Sequence, residues 1–196
     1  MAREPATNGR GRPRDPAIDK LVVNATVELL VDQGYEATTV QEISRRSGVH
    51  TSAIYRRWPS RVALIQEVAF PLFREVTVRA TGDLGRDLRR FITALSRQYT
   101  TPAARAAVPG LFAAYQGDAV TVPDEWLRIS LRPVFYDILD AAPPGTVDPA
   151  VDRDDVFDIL LGAVLARVFV PTIADRHRPI ERTVELVLRL LRPADS

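Results

Sequence analysis

His50, Thr51, Ser52 and Arg56 surround the apolar Ile54, so a short helix over this stretch would bury Ile54 and turn the four polar side chains to its exposed front. Imidazole, hydroxyl and guanidinium groups on the front of a helix suit the edges of base pairs. A guanidinium set bidentate on guanine O6 and N7 contributes roughly 1–3 kcal/mol of discrimination, and Arg56 is the sharpest candidate for that contact. Catalysis has little to draw on. Cysteine is absent, His50 and His177 are far apart in the chain, and no glycine-rich phosphate loop occurs, so the chain does not read as an enzyme and implies no cofactor or metal. Carboxylates in Asp152-Arg153-Asp154-Asp155 have the makings of a cation site, but capping and the helix dipole account for them at a helix start.

Side chains that read bases need a scaffold that holds their helix proud of the surface. From Pro16, suited to a first helical turn, Ile18, Leu21, Val22, Ala25 and Leu29 recur at helical spacing as far as Gly34, which predicts a first helix ending there. Thr39-Val40-Gln41-Glu42 has the form of a capping box, in which the threonine hydroxyl and the glutamate carboxylate each satisfy an amide. That second helix runs to about Ser47, where Gly48 can take the left-handed conformation. A third helix is expected over 50–58, with Ala53, Ile54 and Trp58 inward, until Pro59 interrupts it. Ser60 then caps a fourth, carrying Val62, Leu64, Ile65, Val68, Phe70 and Leu72 and bent at Pro71. Helix, glycine turn and short polar-fronted helix make a helix-turn-helix over about 39–58.

Thr38-Thr39-Val40, Ser47-Gly48-Val49, Ile54-Tyr55-Arg56-Arg57-Trp58-Pro59-Ser60-Arg61 and Leu64 together resemble the TetR family of transcriptional regulators, over about 18–64. The resemblance implies that Thr39 meets a phosphate at a helix start and that the Tyr55 phenol does likewise. It also places Arg61 on the DNA backbone, where the family usually carries a lysine and arginine serves as well. Thr51 stands where lysine is frequent and His50 where a small capping residue is frequent, so no operator sequence carries over. Tyr55 and Trp58 also admit a plain core role, His50 that of a solvated first-turn residue, and Arg57 reads as a surface charge.

The net charge of +1 hides an asymmetry: residues 1–66 carry ten Lys/Arg against seven Asp/Glu, and the remainder is slightly acidic. Residues 1–15 read as a flexible basic arm. Its Gly9-Arg10-Gly11-Arg12-Pro13-Arg14 resembles the core of AT-hook segments, so Arg10, Arg12 and Arg14 either enter a narrow minor groove or attract phosphate nonspecifically. Lacking cysteine and any apolar run of bilayer length, the sequence reads as a soluble, cytoplasmic protein.

The expected organisation is all-α: an arm (1–15), a helix-turn-helix domain (16–62) and a larger helical-bundle domain for effector binding and dimerisation (63–196). Helices are expected near 84–99, 103–115, 123–141, 152–171 and 180–191. The helix over 152–171 is apolar on nearly every face, so it is either the centre of a monomeric core or covered by a second copy. In the dimer reading, Phe157, Leu161, Leu165 and Phe169 join Val184, Leu188 and Leu191 in a four-helix interface. Phe91, Tyr99, Phe112, Tyr115, Trp126, Phe135 and Tyr136 are the aromatic residues available to line a pocket for a mostly apolar small molecule, or simply to pack the core. The function expected is a homodimeric, sequence-specific transcriptional regulator, a repressor released from a pseudo-palindromic operator by its ligand. The alternative is an architectural DNA-binding protein without an effector.

Overall fold

The computed structural model describes residues 16–71, 78–116, 131–170 and 180–193, and every regular element among them is a helix. Helix α1 (Pro16–Ala37) buries Val22, Ala25, Thr26, Leu29 and Leu30 on one face. At Gly34 the backbone leaves helical geometry (φ 80°, ψ −179°), which a glycine accepts without steric cost, and a final turn brings Tyr35 back into the core. Helix α2 (Val40–Ser47) starts at Thr39, whose hydroxyl accepts from the Glu42 amide at 3.2 Å, and stops at the left-handed Gly48, whose N–H reaches the Ser44 carbonyl at 3.0 Å.

Half of the expected capping box is missing. The Glu42 carboxylate does not return to Thr39, because the Thr39 amide already donates to the Ala37 carbonyl and Arg45, one turn along, offers a charged partner. Helix α3 (Thr51–Tyr55) is shorter than the expected 50–58. Beyond it one irregular turn continues, with the Arg57 and Trp58 amides both donating to the Ile54 carbonyl, and Pro59 biases Trp58 away from helix. Helix α4 (Arg61–Ala69) begins at Ser60, whose hydroxyl accepts from the Ala63 amide, and ends at Phe70, just before Pro71, rather than bending past it. Leu72 lies outside the described residues.

Helices α5 (Leu84–Thr100), α6 (Pro102–Tyr115), α7 (Arg132–Asp140), α8 (Arg153–Phe169) and α9 (Ile180–Leu191) follow. Residues 123–130 of the expected 123–141 helix are not described. Asp152 caps α8 by accepting from the Asp154 and Asp155 amides, as the capping reading of that acidic run requires. Two apolar cores result. The first joins α1 to α4 and takes Ala107 and Leu111 from α6; the second packs α5, α7, α8 and α9 around Phe91, Phe135 and Phe157. Helix α6 therefore bridges them, lying against both α1 and α4 while also touching α5.

Candidate nucleic-acid interface

The polar front of α3 is held by three devices: Ile54 buried beneath it, Gly48 turning the chain into it, and His50 capping it. The His50 ring accepts from the Ser52 amide through Nδ1 at 3.3 Å, so His50 serves as the helix cap. Trp58 is buried in the first core, whereas Tyr55 is 53% exposed. The Tyr55 phenol and the Arg56 guanidinium, which is also exposed, have no partner among the described residues.

The neighbouring arginines are all occupied. Arg45 pairs with Glu42, holding its carboxyl below the usual range chiefly through their hydrogen bond. Arg46 reaches back to Asp32 at 3.2 Å and Glu28 at 3.9 Å on α1. Arg57, read from sequence as a surface charge, is only 12% exposed: it pairs with Asp19 on α1 and donates to the Ala53 carbonyl at 3.2 Å. Arg46 and Arg57 thus fasten α2 and α3 to α1. Of the arginines from Arg45 to Arg61, Arg56 alone is left to meet something outside the described residues.

Arg61, for which the resemblance implies a contact with the DNA backbone, makes contacts within the protein. Its Nε donates to the Thr38 carbonyl at 2.9 Å, its Nη2 to the Tyr35 carbonyl, and its guanidinium lies 4.2 Å from the centre of the Tyr35 ring. The Tyr35 carbonyl also accepts from the Thr38 amide at 3.1 Å, so the fork of Arg61 adds a second bond there and a partner for the Thr38 carbonyl between α1 and α2. Burial raises the Tyr35 phenol pKa, with the Arg61 charge opposing the shift. Thr39 accepts at its oxygen from Glu42 and keeps its own hydroxyl proton unpartnered among the described residues, the arrangement a phosphate contact needs. Arg10, Arg12 and Arg14 lie outside the described residues.

The residues expected around a ligand are found in several different surroundings. Phe91 and Phe135 are fully buried against each other, ring centres 5.7 Å apart, with Phe157 beside both. Tyr99 stands apart, edge-on to Phe70 at 5.5 Å and to Phe169 at 6.4 Å, and burial, helped by Tyr115, pushes its pKa up to about 12. Tyr115 packs on the first core and is likewise raised to about 12 by burial and Tyr35. Phe112 is exposed, Tyr136 donates to Asp154 on the surface, and Trp126 is not described. Gln98, which the sequence reading missed, is buried on the inner face of α5, and its Oε1 has no hydrogen-bond partner among the described residues.

The candidate dimer residues divide in the same way. Phe157, Val184 and Leu191 lie in the chain's own second core, and Leu161, Leu165, Phe169 and Leu188 are half-buried. The apolar side chains open on α8 and α9 are instead Ile159 (55%), Leu186 (46%) and Leu190 (43%), beside exposed Gly162 and Ala163. Because α8 is apolar all round, its sequence pattern does not distinguish the inward face from the outward one. Among the described residues no helix is long and apolar enough to cross a membrane.

Residues 22–68 match the family described as bacterial regulatory proteins, tetR family, and residues 78–187 match a tetracyclin repressor-like C-terminal domain. YdeS of Bacillus subtilis, an uncharacterized HTH-type transcriptional regulator, is 32% identical over 93 residues, and this alignment spans 47% of each protein, about half the length of that relative. A solved TetR-family transcriptional regulator from Haemophilus influenzae is similar with a TM-score of 0.62 and 13% identity, over 91% of this chain and 98% of the other. CprB from Streptomyces coelicolor, solved in complex with its biological operator sequence, is similar with a TM-score of 0.52 and 22% identity, over 91% of this chain and 90% of that one. At these identities the solved structures share the fold.

Proposed function

Because the chain belongs to the TetR family of bacterial regulatory proteins, we propose that it is a homodimeric transcriptional repressor that leaves a pseudo-palindromic operator when a small, mostly apolar molecule binds among its middle helices. One observation carries the DNA half of this reading: on the front of α3, Tyr55 and Arg56 are exposed and unpartnered among the described residues, while Arg46 and Arg57 are spent on acidic residues of α1. In this reading Arg56 reads a base, Thr39 and Tyr55 hold phosphates, and Arg61 supports them from within. The basic arm adds affinity. As a chromosome-bound bacterial regulator, the protein works in the cytoplasm.

Dimerisation is supported by the exposed apolar side chains of Ile159 on α8 and of Leu186 and Leu190 on α9, with small residues on α8 that allow two helices to approach closely. Two α3 helices about one DNA turn apart would then read an inverted repeat. The effector half is supported by the Gln98 side-chain carbonyl, buried and without a hydrogen-bond partner among the described residues. In vitro selection from random duplex DNA, at near-physiological salt, tests the reading. An inverted repeat is the expected result; featureless or A·T-rich recovery would favour an architectural DNA-binding protein instead.

A further inference from the structure

His50 and Ser52 hold each other at the entrance of α3. The Ser52 amide lies 3.3 Å from His50 Nδ1, and the Ser52 hydroxyl oxygen lies 3.0 Å from the same nitrogen. A backbone amide only donates, so Nδ1 carries the lone pair and the proton of the neutral ring sits on Nε2. The hydroxyl faces the same lone pair. Two lone pairs opposed at that distance repel, so the hydroxyl proton points to Nδ1 and the Ser52 oxygen keeps only acceptor capacity for anything beyond the protein. Both residues are exposed.

A serine on a recognition helix is ordinarily a poor reader, because its hydroxyl donates to one base and accepts from another with equal ease. Here its donor is committed. We infer that His50 and Ser52 form a reading unit of fixed polarity, with His50 Nε2–H presented to an acceptor on the DNA and Ser52 Oγ accepting from an exocyclic amino group, cytosine N4 or adenine N6, in the major groove. This rests on the reading that α3 enters that groove, and it adds a specificity that Arg56 does not supply. The major groove distinguishes the two classes of base at the position in question: cytosine and adenine present an amino donor there, guanine and thymine a carbonyl acceptor. A keto base under Ser52 would set two acceptors against each other.

Two experiments test the unit. Selection from random duplex DNA with the full chain is compared with selection by Ser52→Ala, in which the amide of residue 52 still caps on His50. Wild type is expected to choose cytosine or adenine at one position of each half-site, by about fivefold over the keto bases, the value of one neutral hydrogen bond. Ser52→Ala should lose that preference there and keep the rest of the motif. His50→Ala frees the serine proton, so the same position should come to accept keto bases as well. A preference that Ser52→Ala leaves intact, or a keto base at the position it relaxes, overturns the inference. Failure of wild type to select any inverted repeat overturns the DNA reading itself.

Long-range ¹H–¹⁵N spectra of the full chain, with the neutral rings observed, give an answer independent of DNA. The chain has two histidines, so His50→Asn identifies the signal. A proton on Nε2 is expected, and His50→Asn should also alter the exchange of the Ser52 hydroxyl. A proton on Nδ1 overturns the inference.

Discussion

Gly110 on α6 sits against the face of Tyr35 so closely that a β-carbon there would lie 2.2 Å from Cγ and Cδ1 of the ring. The same ring packs against the Arg61 guanidinium, and the Tyr35 carbonyl accepts from it. Arg61 also holds the Thr38 carbonyl, one residue before the cap of α2. A helix that bridges both cores thus rests on the residue that ties α1, α2 and α4 together.

Gly110→Ala is therefore expected to force the two apart, lowering stability by about 1–3 kcal/mol, the usual range for overpacking a core, and weakening operator binding. The partner substitution Tyr35→Ala makes room. In the double variant the alanine at 110 should cost far less than it does alone, which denaturant titrations of the four proteins would read directly. Equal costs in both backgrounds would show that the close contact is not what limits position 110.

Arg56 and Arg57 are adjacent in sequence and expected to respond in opposite ways. Arg57→Ala removes the Asp19 pair and the bond to the Ala53 carbonyl, so it should lower stability by about 1 kcal/mol. Arg56→Ala should leave unfolding unchanged and relax the preference at one base position, by roughly 1–3 kcal/mol if the contact is bidentate. Thermal denaturation beside binding to a set of single-base operator variants distinguishes them. Uniform weakening on every sequence by Arg56→Ala would remove its base-reading role.

The placement of Arg61 leads to a test of salt dependence. Substituting a residue that neutralises a phosphate flattens the salt dependence of binding by about one unit. Because Arg61 is turned onto the Thr38 and Tyr35 carbonyls, Arg61→Ala is expected to weaken binding to all sequences, lower stability, and leave the slope nearly as it was. A flattened slope with unchanged stability would return Arg61 to the DNA backbone.

What the sequence made legible was local. The caps at Thr39 and Ser60, the left-handed turn at Gly48 and the burial of Ile54 each depend on residues within four of one another, and each follows from side-chain type and spacing. The relationships it concealed are between distant residues: Arg57 with Asp19, Arg61 with Tyr35, Gly110 with Tyr35. None leaves a periodic trace, since a charge that pairs across the fold looks like any solvated charge. Tyr35 was nevertheless open to suspicion, as a large aromatic directly after the glycine that interrupts α1. The outward face of α8 was hidden because that helix is apolar all round, and the missing return bond of Glu42 because a motif does not say which competing partner wins.

Gln98 offers a trade between stability and function. Among the described residues the Gln98 amide oxygen is buried without a partner, a state that costs about 1–3 kcal/mol, so Gln98→Leu, similar in size and apolar, should raise the melting temperature by a few degrees. The same substitution should blunt the response to an effector that donates a hydrogen bond. A fall in melting temperature would show that the amide is satisfied in the folded protein and has no ligand to await.

The exposed apolar side chains of α8 and α9 give a prediction about assembly. Ile159, Leu186 and Leu190 are outward-facing, whereas the neighbouring Val184 and Leu191 are buried in the chain's own core. Aspartate at an exposed position costs the folded monomer little, since it meets water, but inside an interface it becomes an uncompensated buried charge. Ile159→Asp and Leu186→Asp are thus expected to yield folded monomers with unchanged helical content, whereas Val184→Asp should disrupt the second core. Sedimentation velocity beside circular dichroism separates the outcomes. Operator affinity should fall with dimerisation, because a monomer carries one α3 and reads one half-site. A dimer that persists through both outward substitutions would place the interface elsewhere on the molecule.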